Sequence, residues 1–271
     1  MVTSKNKGTA LITGASAGIG AVYADRLARR GYDLIVVARN QDKLNALAKK
    51  LTTETGRSIE VVAADLTKPS ERAQVEKILR EDASITMLVN NAGVGAIKPL
   101  LDTDVNKLDE LIELNITALT RLAYAAAPAF VARGAGTIIN VSSVVGIAPE
   151  FLNGVYGASK SFVTAFSQSL QHELAPKGLR IQAVLPAATA TDFWELAGRH
   201  VSQLPQDIVM TAENLVDAAL VGLDQGETVT IPVLQDGAAW DRYEAARRDM
   251  LPQLRGTTPS PRYRLAEAKV A

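Results

Sequence analysis

From Thr9 onward the chain alternates short runs of apolar, often β-branched residues with longer stretches in which apolar positions recur every three or four residues. The runs at 9–12, 33–38, 58–63, 86–90, 136–142, 179–185 and 228–231 predict seven strands. Most are continuously apolar rather than alternating, the pattern of strands covered on both faces. Between them, 19–30, 41–55, 70–81, 105–133, 156–175 and 211–225 predict helices, and Gly31, Gly56 and Gly178 stand just past three of these, where a left-handed cap residue is wanted. The alternation runs to about residue 231 without a Pro/Gly/Ser-rich linker or an internal repeat. The expectation is an α/β fold, a doubly wound parallel sheet of seven strands flanked by helices, in a single domain over residues 1–271.

Two stretches escape the alternation. Residues 187–210 are too long for an ordinary connection and carry Phe193 and Trp194 in a polar setting. An insertion at the carboxyl edge of a parallel sheet predicts a substrate lid. The two aromatics either cap an apolar substrate or anchor the lid to the core. Residues 232–271 form a C-terminal extension with a short helix predicted at 238–251 and a segment from Gly256 that reads as extended.

Composition narrows the function classes. The 271 residues include 29 Lys+Arg and 29 Asp+Glu, so the formal net charge is zero and gives no electrostatic case for nucleic acid or a membrane surface. With 47% hydrophobic and 21% charged residues the chain can bury a full core. The absence of cysteine excludes a disulfide scaffold, a thiol nucleophile and Cys-ligated zinc or iron–sulfur sites. His172 and His200 are too few for a His-rich metal site, and each reads as a solvated or satisfied side chain; a carboxylate-rich Mg or Ca site is not excluded by composition. The polar start MVTSKNKG and the lack of any apolar stretch near the ~18 residues of a membrane span predict a cytoplasmic protein.

The first predicted strand runs into Thr13-Gly14-Ala15-Ser16-Ala17-Gly18-Ile19-Gly20 and then directly into a helix. Gly14 permits the tight turn, Gly18 lets a pyrophosphate approach the backbone, and Gly20 lets the helix sit close to the strand. The free N–H groups and positive end of that helix favour a phosphate. At the end of the second strand, where an NAD-selective site carries an acid, the chain has Ala38-Arg39-Asn40. Arg39 there would pair with a 2′-phosphate and points to NADP over NAD, the alternative being a solvated arginine at a strand end. Asp65, just after the third strand, is either an acceptor for an adenine amino group or a helix-start residue.

Tyr156 and Lys160 open the helix after the fifth strand, four residues apart and so on one helix face. A free phenol, with a pKa near 10, is a poor acid or base at neutral pH. A neighbouring ammonium and a cationic nicotinamide would stabilise the phenolate and fit it to pass a proton to a carbonyl oxygen or take one from an alcohol. Ser143 ends the fifth strand, thirteen residues before Tyr156, at the edge where such sheets bind ligands, and can hold the same oxygen. Ser142 should point to the other face. Asn115 interrupts an apolar helical pattern and reads either as part of the site or as a solvated polar residue.

TGASAGIG, Asn90-Asn91-Ala92-Gly93, Asn115, Ser143 and Tyr156-x-x-x-Lys160 occur in the order and spacing of the short-chain dehydrogenase/reductase family in its single-domain form, which the chain resembles over about residues 8–231. The resemblance implies a Rossmann-like sheet of order 3-2-1-4-5-6-7 and a catalytic set of Asn115, Ser143, Tyr156 and Lys160. Asn115 would hold a water in a proton relay toward Lys160. It further implies a cofactor site of Gly14, Ser16, Gly18, Ile19, Gly20, Arg39, Asp65, Asn91, Ala92, Gly93, Tyr156, Lys160, Pro186, Thr189 and Thr191. The family's usual Pro-Gly after the sixth strand stands here as Pro186-Ala187. The expected activity is NADP-dependent interconversion of a small-molecule carbonyl and alcohol by a homodimer or homotetramer. The competing expectation is a catalytically silent NAD(P)-binding regulatory or scaffold protein of the same fold.

Overall fold

The computed structural model describes residues 7–152 and 154–263. The chain divides into two compact units, Met1–Val233 and Leu234–Ala271. In the first, β1 (Thr9–Thr13), α1 (Gly18–Arg29), β2 (Asp33–Ala38), α2 (Gln41–Thr55), β3 (Ile59–Ala63), α3 (Pro69–Glu81) and β4 (Ile85–Asn90) alternate without interruption. They are followed by α4 (Val105–Ile112), α5 (Leu119–Arg133), β5 (Gly136–Val141), α6 (Gly154–Leu174) and β6 (Leu179–Val184). The unit continues with β7 (Thr189–Ala190), α7 (Phe193–Leu196), β8 (Met210–Thr211), α8 (Ala212–Gln225) and β9 (Val229–Thr230). The main sheet is parallel throughout, with seven strands in the order β3-β2-β1-β4-β5-β6-β9. It is the expected Rossmann-like architecture, the last strand being β9 because the short β7 and β8 pair separately at the two ends of the insertion that starts at 187.

Period-two packing in the strands divides the core into two layers. Ala10 and Ile12 of β1 and Leu34 and Val36 of β2 face one layer, with Tyr23, Leu27, Leu215 and Leu220 of α1 and α8. Leu11, Ile35 and Val37 face the other, with Leu79, Leu122, Phe130 and Leu170 of α3, α5 and α6. Leu11 and Ile12 are fully buried, and such burial stabilises by about 1.5–3 kcal/mol per side chain. Both faces being covered is the physical reason the runs were continuously apolar. Gly31, Gly56 and Gly178 all take positive φ, at 98°, 70° and 87°. At Gly178 space matters as well, since a Cβ would lie 2.1 Å from the Gly134 carbonyl oxygen.

The single helix expected at 105–133 differs from the structure. It is α4 and α5 joined through a π-helical turn, Glu113–Ala118, that contains Asn115. The turn is braced from α3: the buried Arg72 pairs with Glu113 and donates to the Leu66 carbonyl (3.1 Å), while the buried Glu76 accepts from Arg121 (2.6 and 3.0 Å). In the second unit α9 (Gly237–Asp249) takes the place of the predicted 238–251 helix, and the segment read as extended contains a 3₁₀ turn at Pro261–Tyr263. Among the described residues no helix is long and apolar enough to cross a membrane.

Candidate active site

β1 is flanked by β2 on one side and β4 on the other, so strand order reverses there and a crevice opens at the carboxyl ends. The glycine loop lies at this point. Gly14 and Gly18 take φ of 67° and 53°, in the left-handed region. Gly20 has negative φ but no room, because a Cβ would fall 2.3 Å from the Gly14 carbonyl oxygen. Gly20→Ala must therefore push α1 off the loop; the expected cost is about 1–3 kcal/mol, read as a Tm drop of several degrees in thermal melting. α1 starts at an N-cap, Ala17, that offers no side-chain acceptor, and its first turn holds no acidic residue. Its leading N–H groups are thus left for an external acceptor. Ser16 and Ile19 are half-buried on this loop, and Thr191 reaches back over it, its Cγ2 2.9 Å from where a Gly18 Cβ would be.

The loop is tied to the next strand by Thr13, a residue the sequence reading passed over. Its hydroxyl donates to the Val89 carbonyl (3.3 Å) and accepts from the N–H groups of Asn91 and Ala92 (both 3.0 Å). The Asn91 amide donates to the carbonyls of Thr13 (3.0 Å) and Gly14 (3.2 Å). The available signal was a hydroxyl closing an apolar strand immediately before the first glycine. Arg39 is exposed at the end of β2, and Asn40 beside it caps α2 by accepting from the Lys43 N–H (2.9 Å). Of the two readings of Asp65, its contacts are those of a turn leading into α3: Oδ1 accepts from the Thr67 N–H (3.1 Å) and hydroxyl (2.7 Å). Partial burial raises its pKa, but these bonds and the charges of Arg39 and Lys68 outweigh it and hold the carboxyl below the ordinary range.

Asn115, Ser143, Tyr156 and Lys160 are brought together around the end of β5. Tyr156 lies in the first turn of α6 and Lys160 one turn later, and both are buried. The Ser143 hydroxyl is near enough to Tyr156 to draw the phenol's pKa down. Ser143 Oγ also donates to the Pro186 carbonyl (3.2 Å) and accepts from the Val145 N–H (3.3 Å). Lys160 Nζ lies 5.8 Å from the Tyr156 ring centre and donates to the Val141 carbonyl (3.0 Å). Asn115 is almost wholly buried, so the solvated reading of it does not hold. Its Oδ1 accepts from the Val94 N–H and its Nδ2 donates to the Val94 carbonyl, both at 2.9 Å, and to Ser159 Oγ at 3.4 Å. Ser142, just beyond β5, bonds α6 instead, donating to the Lys160 carbonyl (2.7 Å) and meeting Thr164 Oγ1 at 2.8 Å.

Within the protein alone, burial dominates the electrostatics. It pushes Tyr156 up to about 12 against the opposing pull of the Ser143 hydroxyl, and pushes Lys160 down to about 8. The expected lowering of the phenol called for the ammonium and a cationic nicotinamide together; in the protein alone desolvation sets the direction.

The two aromatics of the 187–210 insertion are placed differently. Trp194 anchors: it is buried and donates from Nε1 to the Thr189 carbonyl (2.9 Å). Phe193 faces the site, its ring centre 5.8 Å from that of Tyr156, in a cluster with Leu111, Val145 and Val94. His172 is exposed, and His200 is engaged by Ser202 (2.6 Å) and Glu195 (3.1 Å), so neither joins the site.

The sequence profile described as short chain dehydrogenase matches residues 8–201. Among curated proteins, 17-beta-hydroxysteroid dehydrogenase type 3 of Danio rerio is 35% identical over 223 residues, spanning 80% of this chain and 70% of that one. Among solved structures, a short-chain dehydrogenase from Sphingobium yanoikuyae in complex with NADPH is 51% identical, with a TM-score of 0.92 over 94% of this chain and 99% of that one. The bulky-bulky ketone specific alcohol dehydrogenase of Comamonas testosteroni is 46% identical, with a TM-score of 0.88 over 96% of this chain and 99% of that one. Matches of this depth on this sheet define an NAD(P)-dependent oxidoreductase that acts on CH–OH groups. The chain belongs to the short-chain dehydrogenase/reductase family.

Proposed function

We propose that this chain is an NADP-dependent reductase that interconverts a ketone or aldehyde and its alcohol, with Tyr156 as the proton donor and acceptor. The observation that carries the reading is the buried Ser143–Tyr156–Lys160 group beside a glycine cradle at the sheet's switch point. The cradle fits a dinucleotide: Gly14 and Gly18 hold left-handed turns in which a Cβ would collide with Asn91 and Ala92 or with Thr191, and α1 presents an uncapped N-terminus to a phosphate. Gly14, Ser16, Gly18, Ile19 and Gly20 would hold the pyrophosphate. Arg39 would take the 2′-phosphate, with Asp65 at the adenine side. Asn91, Ala92, Gly93, Pro186, Thr189 and Thr191 would border the nicotinamide half.

When bound, the nicotinamide supplies hydride to the carbonyl carbon and, once oxidised, a positive charge. Ser143 holds the substrate oxygen against the phenol, and Tyr156 donates its proton to that oxygen as the alcohol forms. Lys160 would bind the nicotinamide ribose, and its charge together with that of the oxidised nicotinamide would draw the phenol's pKa down from where burial holds it. Asn115 has its amide spent on Val94, which fixes the loop after β4 and leaves its share in a proton relay to its backbone. Residues 187–210 close the substrate side as a lid. The assembly is a homodimer or homotetramer built on the outer faces of α4, α5 and α6, where the exposed Tyr124 stacks on Phe166 (6.3 Å) and Phe166 on Phe162 (5.6 Å).

The test is to follow NADPH and NADH absorbance against a panel of ketones, aldehydes, steroids and sugars. NADPH should give the higher kcat/KM, and Arg39→Ala should cut that preference about tenfold or more, the scale of a charge-assisted pair lost from one side. Faster wild-type turnover with NADH, or a preference unchanged in the variant, overturns the cofactor assignment.

A further inference from the structure

A cavity of about 280 Å³ opens between the loop after β4 and the lid. That is just below the roughly 300–1,000 Å³ of a complete small-molecule site, so it suits part of a ligand rather than a whole one. Gly95, Ala96, Ala197 and Gly198 give it small-residue walls. Lys98, Asp104 and Lys107 bring charges of both signs to its lining, and the Asp104 carboxylate is engaged by the N–H and amide of Asn106 (both 3.0 Å).

The Phe193 ring neighbours both the reacting phenol and Gly95, a residue of the cavity wall. The Phe193 ring lies 5.8 Å from the Tyr156 ring on one side. On the other it presses on Gly95 so closely that a Cβ there would sit 2.1 Å from Phe193 Cζ. α7 carries the ring and the cavity wall follows directly from its end, where the capping Ala197 N–H donates to the Phe193 carbonyl (2.9 Å). Trp194, bonded to Thr189 and edge-on to Phe193 (5.5 Å), fixes where that element lies.

We propose that Phe193 is the specificity-determining residue of the carbonyl site. It partitions the space beside Tyr156 from the Gly95–Gly198 cavity, and that cavity is the subsite for the larger substituent of a ketone carrying an aromatic or alicyclic ring. This rests on the carbonyl-reductase reading above. The ring substituent enters edge-on beside Phe193, with its apolar face on Gly95 and Ala96 and any neutral polar group toward the charged lining. Gly95 is part of the same device, because a methyl there forces the phenyl ring toward Tyr156 and narrows the entrance.

The experiment compares kcat/KM with NADPH for two ketone series, one with a methyl and a phenyl group on the carbonyl and one with two phenyl-sized groups. It uses wild type, Phe193→Ala and Gly95→Ala, with NADPH affinity measured by fluorescence for each. Phe193→Ala should raise the ratio of the two-ring to the one-ring series by about tenfold or more, and Gly95→Ala should lower it, with NADPH affinity held within about twofold. Equal changes in both series in both variants would overturn the subsite and leave the reductase reading intact. Absence of turnover of any carbonyl by wild type would overturn both.

Discussion

Tyr156→Phe should bind NADPH with unchanged affinity and lose about 10³-fold in kcat for carbonyl reduction, because the phenyl ring keeps every apolar contact and loses only the hydroxyl that carries the transferable proton. The side chain is buried among Leu111, Val145 and Phe193, and phenylalanine fits the same space. The variant leaves Ser143 bonded to the Pro186 carbonyl and the Val145 N–H, so the site should stay assembled. Stopped-flow absorbance at the NADPH band and a fluorescence titration separate the two effects. A wild type with no turnover across a broad carbonyl panel and a variant that binds NADPH normally would favour the silent binding protein instead.

Lys160→Met should act in opposite directions on activity and stability. Burial lowers the ammonium's pKa from 10.5 to about 8, so the native state binds protons less readily than the unfolded chain. Below pH 8 both states are protonated and the buried charge costs stability; between pH 8 and 10.5 the native lysine is neutral, the unfolded one still charged, and stability rises with pH. The shift corresponds to about 3 kcal/mol at neutral pH. Methionine removes that cost but orphans the Val141 carbonyl that Nζ serves, returning about 1 kcal/mol or more. The net expectation at pH 7 is a Tm higher by a few degrees with kcat lower by about 10²-fold or more. The Tm advantage should shrink as pH rises from 8 toward 10. Tyr156 works the other way at still higher pH: raised from 10 to about 12, it contributes stability that is lost between those values. A variant less stable than wild type at pH 7 would show that Lys160 is a structural donor first and a strained charge second.

The parts of this molecule that repeat a local pattern were legible from sequence. β2 and α2 begin and end where the apolar runs and Gly56 place them, because both faces of the sheet and the amphipathic face of the helix impose their own period. The gathering of Ser143, Tyr156 and Lys160 was legible for a related reason: a strand end and the first turn of the next helix meet at one sheet edge. What the sequence hid depends on contacts distant along the chain. The π turn at Glu113–Ala118 reads as ordinary helix, since its displaced hydrogen bonds are selected by Arg72 from α3 and by Val94 from the loop after β4. The different fates of Phe193 and Trp194 are set by Tyr156 and Gly95 for one and Thr189 for the other. Asp65 resisted for the opposite reason, because a turn residue and an adenine acceptor have the same side chain.

The wide turn also gives the long rod between β4 and β5 two addresses. A helix advances about 100° per residue, so one surplus residue rotates everything beyond it by that angle relative to a straight cylinder. The segment ahead of the turn aims its greasy stripe at the Tyr156 cluster through Leu111, and the segment behind it aims Leu122, Ala126 and Phe130 at the sheet. Asn115, at the swivel, belongs to neither stripe, and so an amide can occupy the interior of a rod that is otherwise bound by oil on both bearings.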